Sequence, residues 1–77
     1  MPEITIYTRN SCGPCRAVKH WLSSKNFTYN EKNIDNNPEL VDEMIRTSGM
    51  QIVPLTIING EPVMGMNIGR INSLLTA

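Results

Sequence analysis

The sequence has no excess charge of either sign. Seven Lys and Arg balance seven Asp and Glu, so the formal net charge is zero. No net field gathers nucleic acid or an anionic membrane surface, and neither partner is expected. Cysteine is scarce. Two residues in 77 are too few for the disulfide framework of a small secreted scaffold. Long apolar runs are missing; none approaches the ~18 residues of a membrane span. Met1-Pro2-Glu3 lacks the basic start of a secretion signal. Gly65 and Gly69 are too sparse for a phosphate-cradling loop, and no paired-carboxylate constellation is evident. Repeats, low-complexity tracts and linkers are absent. The expectation is one soluble, cytoplasmic, monomeric domain over residues 1–77, small enough for its core to be marginal.

The two cysteines are concentrated in one tetrapeptide, Cys12-Gly13-Pro14-Cys15. It follows a strand-like stretch, Glu3 to Thr8, and opens an apparent helix from Gly13 to about Lys25. A helix N-terminus offers unpaired N–H groups and partial positive charge, which favour a thiolate. The thiolate is the nucleophilic form. In a reducing compartment such a pair is catalytic or metal-binding rather than structural. A structural zinc site usually takes four protein ligands. The chain offers two cysteines and His20, on the helix that Cys15 starts. A reversible dithiol/disulfide switch with no bound metal is therefore the favoured reading.

At about 100° per residue, Cys15, Ala17, Val18, Trp21 and Leu22 fall on an apolar arc. Arg16, Lys19, His20 and Ser23 fall on the other. Cys12 projects towards the polar arc, so one accessible and one sheltered thiol are expected, with Cys12 the candidate nucleophile. Arg9 and Arg16 are candidates to add positive potential. Lys19 reads as an ordinary solvated charge, and His20 as a surface residue. Pro14 stiffens the turn, and Gly13 places no side chain over the sulfur. Trp21 and the methionines read as core filling.

The rest of the chain reads as alternating elements. A polar strand from about Phe27 to Ile34 suits a sheet edge. Asn37-Pro38-Glu39 has the form of a helix start. The helix that follows carries Leu40, Val41, Met44 and Ile45 on one face and stops near Gly49. Leu55 to Ile58 and Glu61 to Met64 flank Asn59-Gly60, a strong hairpin signal. Asn67 is placed to cap a last helix striped by Ile68, Ile71, Leu74 and Leu75. The order is β-α-β-α-β-β-α. A right-handed crossover makes the first two strands parallel, and the expected sheet order is second, first, third, fourth. Val53-Pro54 opens the third strand beside the dithiol loop, where the Val53 backbone can meet an incoming chain.

Tyr7 to Cys15, Val53-Pro54 and Gly65 together resemble a glutaredoxin-type member of the thioredoxin superfamily. The likeness runs from about Ile4 to Leu75. It implies an α/β, thioredoxin-like fold with a four-stranded mixed sheet and helices on both faces. It also implies a cis Pro54, Cys12 as nucleophile and Cys15 as resolving thiol. Arg9, Val53, Pro54, Gly65, Met66 and Asn67 are the implied substrate-binding positions, with Gly13 and Pro14 forming the motif turn. The nearest group resembles the short redoxins of the NrdH type, which supply electrons to ribonucleotide reductase. Implied partners are disulfide-containing proteins and either thioredoxin reductase, drawing on NADPH, or glutathione. A glutathione-dependent glutaredoxin and an iron–sulfur cluster carrier are the alternative functions.

The sequence departs from the family pattern in several places, and it lacks the Trp-Ser-Gly-Phe-Arg-Pro stretch typical of the NrdH group. The motif has the Gly-Pro centre of thioredoxins. Ser11 replaces the thioredoxin tryptophan. Ile6 stands where thioredoxins bury an aspartate. Gly65-Met66-Asn67 lacks the second glycine and acidic pair with which glutaredoxins hold glutathione. The Gly13-Pro14 pair and the missing acidic pair favour a flavoenzyme donor over glutathione.

Overall fold

The computed structural model describes residues 2–76. Seven elements follow in the expected order: β1 (Ile4–Thr8), α1 (Gly13–Ser24), β2 (Asn30–Asn33), α2 (Pro38–Ser48), β3 (Leu55–Ile58), β4 (Glu61–Met64) and α3 (Ile68–Thr76). They form a thioredoxin-like fold on one mixed sheet of order β2-β1-β3-β4. β1 runs parallel to β2 and antiparallel to β3, and β3 is antiparallel to β4.

The residues of β1 explain its central place. Ile4 and Ile6 face one side and pack with Val18 and Leu22 of α1, Ile71 of α3, Ile58 and Val63. Tyr7 faces the other side and packs with Met44 of α2, Ile34 and Leu55. α1 and α3 thus cover one face and α2 the other, so a strand bulky on both faces is internal. Asn59 and Gly60 both have positive φ, 48° and 90°, as a tight two-residue hairpin loop requires. Pro62, which lacks an N–H, lies on the edge strand β4.

Helix ends follow the sequence closely. Gly49 terminates α2 at φ 77°, a left-handed conformation that glycine adopts freely. Its N–H donates to the Ile45 carbonyl at 2.7 Å. The Asn67 side chain accepts from the Arg70 N–H at 3.2 Å and caps α3. Asn37 occupies the N-cap of α2, but its side chain makes no capping bond. Its carbonyl instead accepts from the Leu40 and Val41 N–H groups, at 3.1 and 3.3 Å.

Several expectations are corrected. β2 covers Asn30–Asn33 rather than Phe27 to Ile34. The Phe27 N–H donates to the Leu22 carbonyl at 3.0 Å, closing α1 instead of joining the sheet. Phe27 and Tyr29 still pack on the core. α1 ends at Ser24, with Lys25 as its cap. β1 starts at Ile4, because the Glu3 N–H is taken by the Asn59 side chain at 2.9 Å. Ala17 is exposed; the arc that α1 buries is centred on Cys15, Val18 and Leu22, and Ala17 lies beyond its edge. Ile45 is exposed on the far rim of α2. Of the methionines, Met44 fills the core, whereas Met50, Met64 and Met66 are exposed.

Candidate active site

The chain leaves the sheet at Thr8 and enters α1 at Gly13, so the intervening loop carries Cys12 to the helix start. Ser11 has φ 56° and turns the chain into that start. Cys12 is the N-cap of α1. Its sulfur accepts a hydrogen bond from the Cys15 N–H at 3.1 Å. Cys12 and Cys15 are joined as a disulfide, with their Cα atoms 5.2 Å apart. Cys12 is half-buried, and Cys15, in the first turn, is only 1% exposed. Pro14 lies in that same first turn, where its missing N–H costs no helical bond.

The loop is tied to the end of β2 and the residues just after it. The Asn10 N–H donates to Asp35 Oδ2 at 2.6 Å, and Asn33 Nδ2 donates to Asn10 Oδ1 at 2.9 Å. Arg9 Nε lies 3.7 Å from Asp35 Oδ1, so its charge is partly matched within the chain.

Both cysteines line a hollow of about 200 Å³, whose charged members are Arg9, Arg16, Lys19 and Glu31. Asn10, Ser11 and Asn33 complete its wall. Lys19 is corrected here: its Nζ lies 2.9 Å from Glu31 Oε2 and it is bound, not freely solvated. Thr8, itself buried, donates its hydroxyl to the same oxygen at 2.8 Å. The Lys19 ammonium, then the Thr8 hydroxyl, hold the Glu31 carboxyl below its usual range.

The remaining expected positions form a second group. Val53, Pro54, Gly65, Met66 and Asn67 lie outside that hollow. The Val53–Pro54 peptide is cis. The Gly65 N–H donates to the Pro54 carbonyl at 2.8 Å, extending the β3–β4 pairing beyond Leu55 and Met64. Val53 makes no backbone hydrogen bond among the described residues. Met66 is 56% exposed. His20 is exposed on α1, as expected. Among the described residues, no cluster of three or more His, Cys, Asp or Glu could hold a metal ion. Nor is any described helix long and apolar enough to cross a membrane.

Sequence reasoning missed Glu31, Asn33 and Asp35. A signal for Glu31 was present: a parallel second strand brings its polar residues beside β1, one strand from the motif.

A family model described as Glutaredoxin matches residues 4–63. The chain belongs to the glutaredoxin family. The glutaredoxin-like protein NrdH of Lactococcus lactis subsp. cremoris is 40% identical over 52 residues, 68% of this chain and 71% of the relative. Glutaredoxin 3 of Escherichia coli is 37% identical over 65 residues, 84% of this chain and 78% of the relative. The solved structure of the glutaredoxin-like NrdH-redoxin from Escherichia coli matches with a TM-score of 0.80 at 35% identity, covering 94% of this chain and 93% of the other. That structure was described as the basis for a thioredoxin-like activity profile of the bacterial protein. Glutaredoxins are in general thiol–disulfide oxidoreductases, and the Cys12–Cys15 pair is consistent with a dithiol redox protein.

Proposed function

We propose that this NrdH-like glutaredoxin is a dithiol–disulfide oxidoreductase that reduces protein disulfides. The observation that carries the reading is the Cys15 N–H donating to the Cys12 sulfur at the helix start. That bond and the helix end stabilise negative charge on Cys12. The Cys12 thiolate attacks a target disulfide, forming a mixed disulfide and expelling one target thiolate. Cys15 then attacks the Cys12 sulfur. The second target thiolate leaves, and Cys12–Cys15 is oxidised by the two electrons that the target gains. The protein needs no bound cofactor for this; an external donor resets the pair. In this reading Arg9, Val53, Pro54, Gly65, Met66 and Asn67 line the approach to Cys12. The Val53 N–H and C=O, which make no backbone hydrogen bond among the described residues, are available to an extended target segment. The resemblance to NrdH proteins makes ribonucleotide reductase the favoured target class, and thioredoxin reductase the favoured donor. The thioredoxin-like activity profile described for the Escherichia coli NrdH-redoxin supports that choice of donor. The test is steady-state reduction of a protein disulfide by the wild-type chain and by Cys12→Ser. The variant is expected to be inactive; substantial activity in it would overturn the reading.

A further inference from the structure

The resolving step contains a proton problem. Cys15 is buried, and it attacks only after losing its proton. β1, Ile4-Thr5-Ile6-Tyr7-Thr8, carries no carboxylate or imidazole, and Ile6 is fully buried in the apolar cluster with Val18 and Leu22. The hollow that both cysteines line carries three cationic side chains, Arg9, Arg16 and Lys19, and one carboxylate, Glu31.

The sheet register explains how Glu31 comes to that place. Ile6 of β1 pairs with Glu31 of β2 in the parallel ladder, and Thr8 pairs with Asn33. Glu31 therefore shares the α1 face with Ile6, one strand over, below Lys19 of α1. Lys19 Nζ and Thr8 Oγ1 both bind Oε2, at 2.9 and 2.8 Å. Oε1 makes no hydrogen bond among the described residues. The carboxylate is thus fixed in orientation with one oxygen left open. A hollow of about 200 Å³ has room for several waters at roughly 30 Å³ each.

We propose that Glu31 accepts the Cys15 proton, through water in the hollow, as Cys15 resolves the mixed disulfide. The proposal rests on the dithiol reading above. The Cys15 sulfur forms a bond to Cys12, the bond from Cys12 to the target sulfur breaks, and its electron pair leaves with the target thiolate. The proton passes from Cys15 to Glu31 and on to the departing thiolate, or to solvent when the leaving thiolate is too weak a base to keep it. Glu31 faces Lys19 of α1 and Thr8 of β1; Arg16 of α1 and Arg9 of the motif loop are the other charged groups of the hollow. With Lys19 holding it ionised, Glu31 acts as a relay rather than a lasting proton store.

Mixing the reduced protein with the aromatic disulfide dithiobis(nitrobenzoate) separates the two sulfur steps. The first coloured thiolate is released when Cys12 attacks, the second when Cys15 displaces the other from Cys12. Glu31→Gln is expected to slow the second release roughly tenfold or more near neutral pH. The gap should narrow as pH rises, because hydroxide then removes the thiol proton without a protein base. The first release should persist, reporting an intact fold and a reactive Cys12, and the effect is read as the second release relative to the first. Glu31→Asp keeps a carboxylate and is expected to recover most of the neutral rate. An unchanged second release in Glu31→Gln, or one slowed equally at every pH, would overturn the assignment. So would a Glu31→Asp release as slow as that of Glu31→Gln. Absence of any second release in the wild-type protein would overturn the dithiol reading itself, and this proposal with it.

Discussion

The Cys15 backbone N–H points at the Cys12 sulfur, 3.1 Å away, although the two side chains differ sharply in exposure. One residue therefore supplies both a buried thiol and the donor that steadies its partner. This asymmetry supports the proposed division of the two cysteines into nucleophile and resolver. His20 is on the exposed face of α1.

The first prediction tests that division. In single-cysteine variants, Cys12 is expected to alkylate faster than Cys15 and at lower pH. Cys15→Ser should also trap a mixed disulfide through Cys12, because the resolving attack is lost. Iodoacetamide rates against pH, with mass analysis of the trapped species, provide the measurement. Equal reactivity of the two variants would remove the basis for the roles.

A second prediction concerns Tyr7, on the face opposite the hollow. Its hydroxyl donates to Glu43 Oε2 at 2.6 Å, and Lys32 Nζ reaches the same oxygen at 2.6 Å. Burial, then the Glu43 bond, push the phenol up to about 12. Lys32, then Tyr7, hold the Glu43 carboxyl below its usual 4.5. Tyr7→Phe should cost roughly 1–2 kcal/mol at neutral pH, as for a lost bond to a charged acceptor. Glu43 has a depressed folded value, so its contribution is present above 4.5 and disappears as pH falls through that folded value. Tyr7 has a raised folded value, so its contribution is present below 10 and is lost as pH rises towards 12. The wild-type advantage over Tyr7→Phe should therefore shrink at both ends. Urea unfolding of both proteins across pH tests this; a constant difference would contradict it.

Much of this fold was legible in the chain because its signals are local. Asn59-Gly60 marks the hairpin, Gly49 ends α2, and Asn67 caps α3, each through the backbone it occupies. The doubled bulk of Ile6 and Tyr7 placed β1 inside the sheet. The hollow was less legible because it depends on register. β2 is polar, so nothing in its pattern shows which residue meets Ile6, and Lys19 looks like any solvated lysine until Glu31 stands beneath it. The length of β2 was misjudged for a related reason. The apolar Phe27 and Tyr29 pack on the core without entering the ladder.

Thr56 supports a third prediction. It is fully buried between Ile6 and Val63 in the sheet, and its hydroxyl is the one buried side-chain polar atom without a partner among the described residues. An unsatisfied buried group costs about 1–3 kcal/mol. Thr56→Val keeps the shape and removes the hydroxyl. It should stabilise the fold by about 1 kcal/mol, a rise in Tm of roughly 4–8 °C for a chain of this size. Thermal unfolding followed by circular dichroism decides it; a lower Tm would mean the hydroxyl does have a partner.

The last prediction concerns the electron donor. Glutathione is a small tripeptide with two carboxylates and an amine, and it binds only where fixed partners meet them. Two groups placed to serve it are already engaged. Arg9 faces Asp35 at 3.7 Å, and the Asn67 side chain caps α3 through the Arg70 N–H. The segment Gly65-Met66-Asn67 has no acidic side chain for the amine, and Met66 is exposed there instead. An apolar exposed residue, next in sequence to the Gly65 whose N–H meets the Pro54 carbonyl, suits a protein surface better than a charged tripeptide. Thioredoxin reductase with NADPH should therefore reduce the chain faster than glutathione does at equal redoxin concentration. Met66→Asp, which restores an acid to that segment, should raise glutathione-coupled turnover and lower turnover with the flavoenzyme. Both turnovers are read from NADPH consumption on one protein disulfide, with glutathione reductase coupling the glutathione arm. Faster glutathione-coupled turnover in the wild-type chain, with no oxidation of NADPH through thioredoxin reductase, would reverse the donor assignment and leave the roles of Cys12 and Cys15 standing.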